Sequence, residues 1–213
     1  MNTNCMVSPK TDKIFREIFG REGNEKIAKG FLESVTGKKI TKVDLRNNQL
    51  LGQLPAEEIH GLVDVVAEIE GKLHSFEICI LDEQIFNGIQ LNSNIIPWYG
   101  AYIYAKLAEK NVEQKRVTYV FLSAYNIEGI KQPEYHTSWA LRSEEGETEI
   151  LGYSLNFELI EMPKSQGKEE QEDTLLDWVY FLENPECERV KEKIWTNPAL
   201  KSAYETYQRI LEE

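Results

Sequence analysis

Residues 62–81 read LVDVVAEIEGKLHSFEICIL, two β-rich runs that meet at Glu70-Gly71-Lys72. β-Branched and aromatic residues fill both runs, and a glycine at the junction signals a tight hairpin turn. A turn centred on Glu70-Gly71 sets antiparallel partners whose numbers sum to 141, so Val65 faces Phe76, Ala67 faces His74 and Asp64 faces Glu77. One side of this predicted hairpin carries Val63, Val65, Ala67, Ile69, Phe76, Ile78 and Ile80, with His74 at its end, and is a core face. The other side carries Leu62, Asp64, Val66, Glu68, Leu73, Ser75, Glu77, Cys79 and Leu81. Centring the turn on Gly71-Lys72 moves the sum to 143 and sets Asp64 against Cys79. Asp64, Glu77 and Cys79 share a side in either register, because strand side chains alternate with a period of two.

Upstream, Ser8 before Pro9 predicts a helix N-cap with proline at the first helical position, followed by an apolar stripe of Phe15, Ile18 and Phe19 that ends at Gly20. Asn24 predicts the cap of a second helix, in which Ile27, Ala28, Phe31, Leu32 and Val35 recur at helical spacing until Gly37. Residues 39–44 give a weak strand signal, and a loop surrounds Pro55. Downstream, Ile95, Ile96, Tyr99, Tyr102, Ile103 and Leu107 predict a loop or short helix and then a helix from about Pro97. VTYVFLSAY at 117–125 has the length and continuity of a buried central strand. Residues 139–142 and 149–153 suggest a hairpin, 154–161 a further strand, and the polar run SQGKEEQED at 165–173 a connector. Helices follow at 175–183 and 190–211, with breaks at Pro185 and Pro198. This order predicts a mixed α/β domain over 1–164 and, over 165–213, an acidic linker with C-terminal helices packed on that domain as an appendage.

With 41% hydrophobic and 28% charged residues in 213, the chain is globular in type; disordered, collagenous and disulfide-scaffold classes are excluded. A net charge of −12 argues against a protein that coats nucleic acid or anionic membrane with its whole surface. Its distribution is uneven: residues 1–50 hold ten basic and six acidic side chains, whereas 51–100 hold one basic residue, Lys72, against eight acids. Cys5, Cys79 and Cys187 form no CxxC pair, which points to a reducing, cytoplasmic setting. MNTNCMVSPK has no apolar leader, and the uncharged stretch 84–105 is too polar to span a bilayer, so no membrane partner is expected.

Two carboxylates opposite one another in a hairpin destabilise it, since like charges across a strand pair repel. A divalent cation between them reverses the sign, because hard ions such as Mg²⁺ take a few carboxylates together with water and phosphate oxygens. A solvated polar stripe shared with Glu68 and Ser75 is the plain structural alternative for Asp64 and Glu77, and a small buried hydrophobe is the alternative for Cys79. Asp12 lies beside the inward stripe of the first helix, where it either supports the site or caps its helix. Lys10, Lys13 and Arg16 belong to the basic N-terminal segment, which forms either a phosphate-binding surface or an ordinary solvated helix face.

The opening SPKTDKIFREIFG at 8–20 resembles the start of the PD-(D/E)XK nuclease family transposases, or recombination-promoting nucleases, whose N-termini read like K-x-D-x-x-F-K-x-I-F-G. Leu62-Val63-Asp64-Val65 and, further on, Glu77-Ile78-Cys79 are similar to that family's L-D-V and I-E-I-Q. Tyr135-His136, WALR at 139–142, FELIEMPK at 157–164 and the helix around Trp178 follow in the family's order. The resemblance implies a restriction-endonuclease-like fold, a mixed central sheet flanked by helices, and Mg²⁺- or Mn²⁺-dependent hydrolysis of DNA. Asp64 and Glu77 would be the metal ligands and catalytic carboxylates. Cys79 would occupy the third catalytic position, where the superfamily has lysine and this family usually glutamine. The leading expectation is an endonuclease, a hydrolase that makes weak and local contacts with DNA, with a homo-oligomer or a recombination-system partner in view. The alternative is a catalytically decayed nuclease fold kept as a DNA- or protein-binding module.

Overall fold

A computed structural model describes residues 8–45, 63–81, 93, 96–97, 101, 116–140 and 155–213. Six described strands, β1 (Ile40–Leu45), β2 (Val63–Ile69), β3 (Lys72–Leu81), β4 (Arg116–Ser123), β5 (His136–Ala140) and β6 (Leu155–Glu161), form one sheet in the order β1-β2-β3-β4-β6-β5. β1, β2 and β3 run antiparallel in turn, β3–β4 and β4–β6 are parallel, and β5 closes the edge antiparallel to β6. The β2–β3 turn places Glu70 at φ 52° and Gly71 at φ 73°. Positive φ at both central residues is the turn whose twist matches paired strands. It selects the first of the two registers considered, from Val63 opposite Ile78 to Ile69 opposite Lys72.

Helices cover one face of the sheet. α1 (Asp12–Phe19) and α2 (Glu25–Thr36) turn their predicted apolar stripes inward. α3 (Thr174–Glu183), α4 (Glu188–Lys193) and α5 (Pro198–Glu212) join them around the same hydrophobic core as Val63, Val65, Ala67, Phe76, Ile78 and Ile80. Trp178 on α3 is fully buried and sits 5.8 Å, centroid to centroid, from both Phe19 and Phe31. α2 crosses α5 at Gly30, where an added Cβ would lie 2.3 Å from the Cβ of Ala199, so only glycine permits this approach. Arg189 pairs with Asp177 at 2.7 Å in the interior and also donates to the carbonyls of Glu169 and Asp173. Tyr135, at the start of β5, donates to Asp173 at 2.6 Å, which ties the sheet edge to the approach of α3. Among the described residues no helix is long and apolar enough to cross a membrane.

The mixed sheet and its flanking helices agree with the predicted fold class; several boundaries differ. α1 starts at Asp12 with Thr11 as N-cap, and Ser8-Pro9 form a preceding turn in which Thr11 N donates to Ser8 O at 2.9 Å. Asp12 therefore does not cap the helix; its carboxylate accepts from Arg16 one turn on. Asn24 uses its amide differently from the expected side-chain cap, donating to the carbonyls of Glu17 and Ile18 at the end of α1. The break expected at Pro198 is present: the side chain of Asn197 accepts from Ala199 N and Leu200 N, at 3.1 Å each, and Pro198 opens α5, while α4 begins at Glu188, slightly earlier than predicted. β5 begins at His136, earlier than predicted. The loop around Pro55, the strand at 149–153 and all but Pro97 and Ala101 of the helix expected over 97–110 lie outside the described residues.

Candidate active site

The hairpin register brings Asp64 on β2 directly opposite Glu77 on β3. Both point away from the helical core, and both are buried, with 7% and 4% of their surface exposed. The second side of the hairpin is thus not a solvated stripe at its centre: Val66, Cys79 and Leu81 on the same side are buried too. Glu77 is also the register partner of Tyr119 on β4, which continues to Phe157 on β6 and Trp139 on β5. One cross-strand row therefore reads Asp64, Glu77, Tyr119, Phe157, Trp139. Tyr119 and Phe157 stack with each other at 5.8 Å and with Phe121 at 6.1 and 6.2 Å, forming an aromatic floor beside the carboxylates. The nearness of Tyr119 to Glu77 follows only from the parallel β3–β4 register, which pattern alone does not supply.

Burial pushes the Glu77 carboxyl well above its ordinary range; the charge of Asp64 and a hydrogen bond between the two carboxyl groups push it further in the same direction. Glu77 Oε2 is buried and has no hydrogen-bond partner among the described residues. In the metal-free protein the folded state therefore holds a proton that the unfolded chain releases at the ordinary carboxylate value of 4.5. Stability from this group is full below that value and is lost as pH rises through the higher folded value. Urea unfolding in a chelating buffer, from about pH 5 to pH 8, is expected to show declining stability that Glu77→Gln flattens. An equal slope in the variant would assign the decline to other groups.

This arrangement fits a hard divalent cation. Two carboxylates face each other, the buried Glu77 Oε2 has no donor among the described residues, and like charge at this spacing calls for a positive neighbour. No group of three or more His, Cys, Asp or Glu side chains suited to a metal occurs among the described residues, and a hard cation readily completes its shell with water or phosphate oxygens. Cys79 lies on the same side of β3, 1% exposed, with its thiol donating to the carbonyl of Ile80 at 3.6 Å.

The structure groups Asp64, Glu77 and Cys79 and places the remaining predicted residues elsewhere. Asp12 and Arg16 bond each other at 2.9 Å on α1, whose inward residues pack on the opposite face of the sheet. The Lys10 ammonium bridges to Glu183 at 2.6 Å, and Lys13 is exposed.

A mixed sheet flanked by helices, with two carboxylates facing each other across its β2–β3 hairpin, has the architecture of the restriction-endonuclease-like class. The model of the PD-(D/E)XK nuclease family transposase matches residues 9–213, and the chain belongs to that family. No curated protein and no solved structure matches it significantly. Membership brings a nuclease or transposase-related function and DNA as the partner; nucleases of this kind usually employ divalent metals.

Proposed function

We propose that the protein is a Mg²⁺- or Mn²⁺-dependent DNA endonuclease of the recombination-promoting type, with Asp64 and Glu77 as metal ligands. The observation that carries this is the buried pair itself, two carboxylates held opposite each other where structure alone favours neither. A divalent cation bound there supplies charge neutralisation at the scissile phosphate and acidifies the attacking water. Asp64 and Glu77 fix the position of that charge, and the rigid β2–β3 register keeps them from separating. In the hydrolysis, a water oxygen bonds to phosphorus, the bond from phosphorus to the leaving sugar oxygen breaks, and the water's proton ends on that leaving oxygen. Purified protein with Mg²⁺ or Mn²⁺ is expected to nick supercoiled plasmid; equal nicking by Asp64→Ala would overturn the assignment.

Cys79 favours a second function, a nuclease fold retained for binding. A buried thiol is a weak donor and acceptor where the family usually carries glutamine. If the site has decayed at this position, Cys79→Gln gains nicking activity of at least about tenfold in the folded variant. An unchanged or lower rate in a folded Cys79→Gln protein counts against decay at position 79.

A further inference from the structure

We propose that the cavity beside Trp139 receives one unpaired nucleobase of the DNA strand whose phosphate lies at Asp64 and Glu77. The assignment rests on the endonuclease function above and adds a substrate class to it, DNA with unpaired bases.

The cavity has a volume of about 380 Å³ and is lined by Trp139, Phe157, Leu159, Ile130 and Pro97, with Ser93 at one side. That volume is in the range of small-ligand pockets. No described lining side chain carries a charge, which suits a neutral planar ring and disfavours phosphate or a charged peptide. Trp139 is 41% exposed, and its indole N–H is already donated to Thr137 Oγ1 at 2.8 Å. That bond fixes the indole and leaves its face for stacking, the sequence-tolerant interaction by which proteins hold single-stranded bases. The Ser93 hydroxyl supplies a hydrogen-bonding group to an otherwise apolar wall. Gly129 accommodates it: at φ 92°, an added Cβ would lie 2.5 Å from Ser93 Oγ. Ser93 N in turn donates to Glu128 O at 2.8 Å, tying the two sides of the wall together.

Position supports the same occupant. Trp139 and Phe157 belong to the cross-strand row that starts at Asp64 and Glu77, on the same face of the sheet. Three strand steps separate Glu77 from Trp139, about 14 Å at the usual strand spacing, within reach of one strand of DNA. Charge supports it too. With a net charge of −12, and with Lys10 and Arg16 engaged by Glu183 and Asp12, phosphate attraction alone is a weak source of affinity. Stacking does not depend on net charge.

The test uses the full chain carrying Asp64→Ala, with oligonucleotides bearing 2-aminopurine. A single strand is expected to bind about tenfold or more tightly than the blunt duplex of the same sequence, with 2-aminopurine fluorescence quenched. Adding Trp139→Ala should weaken single-strand binding about tenfold and remove the quench, and Trp139→Phe should restore most of both. Equal affinity for single strand and duplex, or undiminished binding by Trp139→Ala, overturns the pocket. Nicking by the parent protein that Asp64→Ala abolishes, without any preference for unpaired bases, rejects the pocket and leaves the endonuclease standing. Trp139-dependent single-strand binding by a parent protein that never nicks DNA supports the pocket and rejects the endonuclease.

Discussion

Replacing Asp64 by asparagine is expected to lower metal-dependent nicking at least about a thousandfold, equivalent to roughly 4 kcal/mol of transition-state stabilisation. The same substitution is expected to raise the stability of the metal-free protein by up to about 1 kcal/mol. The two effects have one cause. Asp64 and Glu77 are opposed across the β2–β3 register and buried, so each raises the cost of ionising the other. An amide of nearly the same shape removes the repulsion and, with it, half of the charged ligand set. Calorimetric titration with Mn²⁺ should show binding in the parent protein and none in Asp64→Asn at millimolar metal; urea unfolding without metal reads the stability. Glu77→Gln is expected to behave alike. Loss of activity together with loss of stability would make Asp64 a structural residue, and unchanged Mn²⁺ binding would move the cation elsewhere.

Arg189→Ala is expected to cost about 3–5 kcal/mol of folding stability. Arg189 and Asp177 are almost completely enclosed, at 7% and 5% side-chain exposure, and meet at 2.7 Å. The guanidinium also serves the carbonyls of Glu169 and Asp173 and lies 5.5 Å from the centre of the Tyr180 ring. Burial raises the Asp177 carboxyl pKa; the opposing pull of Arg189 does not outweigh it. Without Arg189 a carboxylate stays in the interior with its main counter-charge gone, together with two carbonyls that have lost a donor. The double substitution Arg189→Met with Asp177→Leu removes both charges and should recover most of the loss. Urea unfolding of the three proteins checks this; a loss below about 1 kcal/mol in Arg189→Ala would place the pair effectively in solvent.

The faces of the hairpin were legible, although its register was open between turns centred on Glu70-Gly71 and Gly71-Lys72. The structure adopts the first, and the run of Val63, Val65, Ala67 and Ile69 located the core side. Parity then put Asp64, Glu77 and Cys79 together. What parity could not give was the burial of that second side, since alternation states which residues share a face and says nothing of what lies over it. Neighbours across parallel strands were equally out of reach: Tyr119 sits beside Glu77 through pairing of segments far apart in the chain. The first helix began later than Ser8-Pro9 suggested because a tight turn and an N-cap use the same residue types. The Arg189–Asp177 pair was hidden for a related reason, as a charge-rich stretch reads as surface until its partners are known.

The packing of α5 against α1 and α2 makes the backing of the site a joint property of the two ends of the chain. Ala199, Leu200, Ala203 and Tyr207 complete the same core into which α1, α2 and the inner side of β2 and β3 pack. Contacts between segments so distant in sequence slow folding as a whole. The face that carries the carboxylates is thus supported from behind by residues nearly the whole chain apart.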